Sequence, residues 1–153
     1  MIVTLQRSAT ADAETLLALQ IAAFHDDARL YPGVELGGPP GYDSLDVLLD
    51  RIEGNDYYTI LADGQIVGGI MAFPKGEGHR HLDVIYIAPD FHGRGIGSQA
   101  MRFIEQAHPA ALWTLDTPVY AIRNHHFYEK LGYVRMARFE DDGFALYAYE
   151  KRT

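Results

Sequence analysis

Between Leu82 and Ser98 the chain passes from a branched apolar stretch, through a proline, into three alternating glycines and a helix-like pattern. That succession constrains the fold more than any other segment. Leu82 to Ile87 is rich in branched residues and suits a largely buried strand. Pro89 has no N–H for a ladder, so regular pairing stops there. Gly93, Gly95 and Gly97 let the backbone approach a ligand closely. A helix opening just beyond them aims unpaired N–H groups, and its positive dipole end, at the same place. Such a construction is a phosphate cradle.

The common variants of that cradle separate on residue identity. A Walker A loop needs a lysine after its spacer, and none follows these glycines. A dinucleotide fingerprint starting at Gly93 needs its third glycine where Ser98 stands, and belongs near a first strand. The pattern Gln/Arg-x-x-Gly-x-Gly/Ala fits better, with Gly95 and Gly97 in place. Here the chain resembles the GNAT superfamily of acyl-CoA-dependent N-acetyltransferases. The resemblance implies that the turn His92-Gly93-Arg94-Gly95-Ile96-Gly97-Ser98 holds the pyrophosphate of coenzyme A. His92 departs from the family's usual Gln or Arg, while Arg94 adds a fork of donors suited to phosphate oxygens. On this motif alone, a strand–helix turn without a ligand stays open.

A second motif, Asn124-His125-His126-Phe127-Tyr128-Glu129-Lys130-Leu131-Gly132-Tyr133, starts 27 residues after Gly97. Asn124 suits an N-cap and Gly132 a C′ position, which predicts a helix of about two turns. Asn124, Tyr128 and Leu131 then share a face, and His125 and His126 line the exposed side. The run resembles the closing motif of the same family. The resemblance implies that Tyr128 lies near the sulfur of coenzyme A and protonates the leaving thiolate, with Asn124 on the cofactor side. The alternative is that Phe127 and Tyr128 are ordinary core aromatics.

Composition narrows the classes. A chain of 153 residues predicts a single domain, 1–153, with a proper core. A net charge of −8 without a basic stripe argues against nucleic acid as partner. The absence of cysteine excludes disulfides, thiolate metal sites and an acetyl-cysteine intermediate. For an acetyltransferase, direct attack of the amine on the thioester is then expected. No apolar h-region stands at Met1–Arg7 and no run approaches a membrane span, so the expected location is the cytoplasm, with no membrane partner.

Periodicity gives an order of elements. Ile2–Gln6 reads as a strand, and Thr10 as the cap of a helix to Phe24. Residues 25–40 read as irregular, and Asp43 or Ser44 caps a second helix. Hairpins are expected across Asp63-Gly64 and across Asp141-Asp142-Gly143. Strands at His81–Ala88 and Leu112–Asp116 flank a helix from Ile96. This β-α-α-β-β-β-α-β-α-β-β order predicts an α/β fold, and it matches the GNAT fold along the whole chain. The resemblance implies a mixed sheet splayed between its fourth and fifth strands, with the pantetheine arm paired to Ile85–Ile87. The N–H of Ile87 would then bond the thioester carbonyl as an oxyanion donor.

An amine must lose a proton before it attacks. Strand alternation puts His81, Asp83, Ile85 and Ile87 on one face. Some family members carry a base at positions corresponding to His81 and Asp83, and His81 titrates in a suitable range. Ordinary polar residues at a sheet end are the plain alternative. His79 and His81 lack a third ligand at characteristic spacing, so no metal is expected. Seven of the twelve residues from Tyr31 to Tyr42 are Gly or Pro, and the resemblance places this loop over the acceptor. Glu35 there, after Asp26 and Asp27, offers negative charge to a cationic amine.

These readings converge on direct acetyl transfer from acetyl-CoA to a small-molecule amine or peptide acceptor, in a family where homodimers are common. A non-catalytic acyl-CoA sensor on the same fold and a nucleotide-binding domain remain as rivals.

Overall fold

The computed structural model describes residues 1–153. Seven strands form one sheet: β1 (Val3–Arg7), β2 (Asp56–Ala62), β3 (Gln65–Gly76), β4 (His79–Ile87), β5 (Leu112–Pro118), β6 (Val134–Asp141) and β7 (Phe144–Arg152). Their order is β1-β2-β3-β4-β5-β7-β6. All neighbours are antiparallel except β4 and β5. The helices are α1 (Ala13–Leu30), α2 (Leu45–Gly54), α3 (Ile96–Ala107) and α4 (Ile122–Lys130). None is long and apolar enough to cross a membrane.

Both expected hairpin turns form. Asp63 and Gly64 have φ of 48° and 82°, Asp142 and Gly143 of 49° and 81°. Two successive positive φ values give the turn whose twist matches antiparallel strands. Ser44 caps α2, its side chain accepting from the Val47 N–H at 3.3 Å.

Two faces of the sheet carry separate cores. On one, Leu16 of α1 and Leu48 of α2 pack with Tyr57, Met71 and Tyr86. On the other, Ile96, Ala100, Met101 and Ile104 of α3 and Tyr128 of α4 pack with Ile60, Ile70, Leu82, Trp113 and Leu115.

Several expectations are corrected. Residues 25–30 are helical, not irregular, because nothing between Phe24 and Tyr31 breaks α1. An Arg29–Asp26 ion pair at 2.7 Å supports this last turn. The helix ends where Pro32 forces Tyr31 into extended backbone, at φ −120° and ψ 118°. Thr10 opens a short 3-10 turn rather than capping α1, and Asp12 takes the Ala9 N–H instead. Asn124 is inside α4, not its cap. The first turn closes from His125 N–H to the Ala121 carbonyl, so Ala121 is the N-cap.

Candidate active site

The parallel pairing of β4 with β5 is only three residues long: His79 with Leu112, Arg80 with Trp113, His81 with Thr114. Beyond that rung Leu82–Ile87 and Leu115–Pro118 have no partner in each other, and the sheet opens. β4 itself remains paired to β3 along this stretch. The Ala88 N–H still donates to the Val67 carbonyl at 2.8 Å. Strand alternation therefore turns the N–H and C=O groups of Ile87 and Ile85 the other way, into the opening.

At the open end of β4 the chain makes its glycine turn. Gly93 and Gly95 have φ of 74° and 77°, a region that favours glycine. Gly95 is the N-cap of α3. The amide N–H groups of Gly93, Arg94, Gly95, Ile96, Gly97 and Ser98 donate to no acceptor within the chain. The next, Gln99, already bonds the Gly95 carbonyl at 3.2 Å. Six consecutive free donors at a helix start suit an anion with several oxygens, and phosphate is the common one. Arg94 is exposed beside them, its guanidinium 5.0 Å from the Phe91 ring centroid. Gly97 has a different reason to be glycine: a β-carbon there would meet Phe127 of α4 at 3.1 Å. It sets how closely α3 packs on α4.

His92 joins this region through its ring. Its N–H is taken by the Pro89 carbonyl at 3.2 Å. Its Nε2–H donates to the Ile87 carbonyl at 2.8 Å, and its Nδ1 lies 4.0 Å from an Asp26 carboxylate oxygen on α1.

Tyr128 projects from α4 into the core beside Phe127, Tyr133 and Tyr149. Its hydroxyl has no hydrogen-bond partner in the chain, and the residue as a whole is 7% exposed. Burial raises its pKa well above the ordinary phenol value, so it stays protonated near neutrality. Asn124 is exposed, and its side-chain amide donates to the Thr117 hydroxyl at 3.3 Å. His125, expected on the exposed side, is buried, donating to the Pro118 carbonyl at 2.9 Å. Its ring packs on Tyr147 and Tyr149, which the helix's true start at Ile122 makes possible.

The expected single face of β4 is broken by a bulge. Met71 pairs with Val84 and Ala72 with Leu82, leaving Asp83 unpaired. Leu82, Ile85 and Ile87 then face the α3 core, whereas Val84 and Tyr86 face α1 and α2. Asp83 is exposed and its carboxylate lies 3.5 Å from Arg51 of α2, so it does not orient His81 by a hydrogen bond. Glu35 is exposed and makes no hydrogen bond or ion pair with these groups.

His81 is buried at the last rung before the opening. Its Nδ1 is 2.7 Å from the Thr114 hydroxyl, and its Nε2 is 3.7 Å from an Asp116 carboxylate oxygen. Burial pushes its pKa down to about 4, helped by the Lys75 charge and opposed by Asp83. Burial raises the Asp116 carboxyl, against the pull of Lys75. Thr114 and Asp116 escape the motif-based reading. The signal was present: Trp113 and Leu115 are the buried apolar positions of β5, so alternation leaves Thr114 and Asp116 together on its polar face.

Comparison with known proteins agrees with this architecture. The profile of the Acetyltransferase (GNAT) family matches residues 21–133. A structure described as an acetyltransferase of the GNAT family from Streptococcus agalactiae superposes with a TM-score of 0.82. It is 18% identical, over 99% of this chain and 95% of that one. PaiA N-acetyltransferase from Thermoplasma acidophilum, solved in complex with coenzyme A, gives 0.77 at 16% identity, over 100% of both chains. A protein named YrkN from Bacillus subtilis is 40% identical over 73 residues, 46% of this chain and 40% of its own length.

Proposed function

This chain belongs to the GNAT acetyltransferase family, and from that premise we propose that it transfers an acetyl group from acetyl-CoA directly to an amine. One observation carries the reading: six consecutive unpaired N–H donors stand at the mouth of a sheet that opens beyond a three-residue parallel ladder. The turn suits a pyrophosphate. The free edge of β4 suits an extended arm bearing amides. A complex with coenzyme A in the Thermoplasma relative supports this use of the fold.

The roles follow from position. The backbone from Gly93 to Ser98, with Arg94, holds the phosphates. Ile85 offers its edge N–H and C=O to the arm, and the Ile87 N–H, whose carbonyl already accepts from His92, is aimed to polarise the thioester carbonyl. His81 Nε2 takes the ammonium proton, and Asp116 holds the cationic acceptor beside it. Tyr128, protonated at neutral pH and without an internal partner, supplies a proton to the departing thiolate. The absence of a cysteine to carry the acetyl group supports direct attack by the amine.

The test is a thermal-shift panel with acetyl-CoA, coenzyme A, ATP and NAD, followed by free-thiol detection over an amine panel. Stabilisation by the coenzyme A pair together with thiol release is expected. Stabilisation without release would favour the acyl-CoA sensor, and a response confined to ATP or NAD would overturn the reading.

A further inference from the structure

Thr114 touches two histidines at once. Its hydroxyl oxygen lies 2.7 Å from His81 Nδ1 and 2.7 Å from His79 Nε2. A hydroxyl has one proton to give, so the two neutral rings cannot both accept from it. At least one ring must donate. We propose, on the acyl-transfer reading above, that His81, Thr114 and His79 form a proton relay that carries the acceptor's proton from the reaction site toward solvent.

The chain has a direction. When His81 Nδ1–H donates to Thr114 and Thr114 O–H donates to His79 Nε2, His81 Nε2 holds a free lone pair. That lone pair faces the opened end of the sheet, where Asp116 stands. In the transfer, an ammonium N–H bond of the acceptor breaks and His81 Nε2–H forms. His81 Nδ1–H breaks as Thr114 O–H forms, and the original Thr114 proton passes to His79 Nε2. Thr114 ends unchanged, the amine is neutral and nucleophilic, and the positive charge rests on His79.

Burial supplies the reason for passing the charge on. His81 is buried, whereas His79 is partly exposed. The groups facing His81 are Lys75 from β3, His79 and Asp83 from β4, and Asp116 from β5. Phe73 covers one side of its ring, with centroids 5.3 Å apart. An imidazolium held there is disfavoured by desolvation, and its pKa falls to about 4. A relay removes the need to hold it.

The experiment uses the full chain with acetyl-CoA and a panel of spermidine, tyramine, lysine ethyl ester and a peptide with a free N-terminus. Wild type, Thr114→Val, Thr114→Ser and His79→Gln are compared for coenzyme A affinity, kcat, acceptor KM and pH profile. Nitrogen-15 spectra of the imidazoles read the His81 tautomer independently of turnover. Thr114→Val is expected to lose roughly 10–100-fold in kcat, at or below the low end of acid–base effects because His81 itself remains. Coenzyme A affinity should hold within about threefold, and Thr114→Ser should restore most of the rate. His79→Gln preserves an acceptor for Thr114, and with it the His81 Nδ1–H tautomer, but takes up no proton. It is expected to lose kcat and to change the pH profile while acceptor KM holds. An active wild type with unchanged kcat and pH profile in Thr114→Val and His79→Gln would overturn the relay alone. So would a wild-type spectrum with His81 protonated on Nε2. A wild type that neither binds coenzyme A nor releases thiol overturns the transferase reading itself, and the relay with it.

Discussion

The Nε2 of His92 lies 2.8 Å from the Ile87 carbonyl oxygen, so the residue that opens the glycine turn is bonded back onto the free edge of β4. That bond joins the proposed phosphate cradle to the strand proposed to polarise the thioester. Removing it leaves the Ile87 carbonyl without its partner. His92→Ala should weaken coenzyme A binding about three- to tenfold, the equivalent of one ordinary hydrogen bond. His92→Gln, which retains a side-chain donor, should recover part of it. Isothermal titration with coenzyme A checks both.

Gly95 and Gly97 should fail differently. A side chain at Gly95 meets nothing within 4 Å, but φ is 77°. Gly95→Ala should cost about 1 kcal/mol of stability and weaken coenzyme A binding by re-aiming the donors. Gly97→Val drives a branched side chain into Phe127 and should cost about 1–3 kcal/mol as overpacking. Urea melts with and without coenzyme A separate the two effects. A Gly97→Val variant with wild-type stability, or a Gly95→Ala variant with wild-type coenzyme A affinity, would contradict the division.

Tyr128→Phe removes a hydroxyl that bonds to nothing in the chain. Stability should change by no more than about 0.5 kcal/mol, since no internal hydrogen bond is lost. Turnover should fall by as much as roughly 10²–10⁴-fold, with less loss where water substitutes. Urea melts and steady-state rates measure the pair. Wild-type turnover would return Tyr128 to the core aromatics.

The folded-state pKa of His81 is depressed from 6.5 to about 4. The folded chain therefore binds fewer protons than the unfolded chain between those values. The stabilising contribution is fully present above pH 6.5 and is lost as pH falls toward 4, amounting to on the order of 3 kcal/mol at most. His81→Gln should flatten that part of the stability curve. Urea melts from pH 8 to pH 4 on both chains check the sign.

Asp116, not Glu35, stands beside His81. Asp116→Asn should raise acceptor KM for cationic amines several-fold, as loss of a charge-assisted contact. Glu35→Gln should leave KM unchanged, and Asp83→Asn should act only through the distant field at His81. Acceptor kinetics for the three variants, at two salt concentrations, rank them.

Much of the architecture was legible in the sequence. The Asp63-Gly64 and Asp142-Gly143 turns require positive φ from adjacent residues, and few other dipeptides supply it. Ser44 capped α2 because a hydroxyl three residues before a free N–H satisfies it locally. The glycine turn after β4 was equally local, being backbone freedom followed by a helix start. Interactions spanning a few residues are written in composition and spacing, and the chain's own covalent geometry enforces them.

Other features were decided by partners far along the chain. The bulge at Asp83 arises where β4 must stay in register with β3, and it breaks the alternation that grouped His81 with Ile85 and Ile87. Thr114 meets His79 and His81 across 35 and 33 residues, because a parallel rung ends there and the strands part. His125 is buried because β7 presents Tyr147 and Tyr149 to it, which α4's own pattern does not reveal. Gly97 is small because Phe127 arrives against it from another helix. The sequence by itself determined the hairpin turns, the Ser44 cap and the donor-rich loop, since each is settled within one or two turns of backbone. Only the tertiary structure decided which side chains share a site, since register and helix packing bring together residues that no local spacing relates.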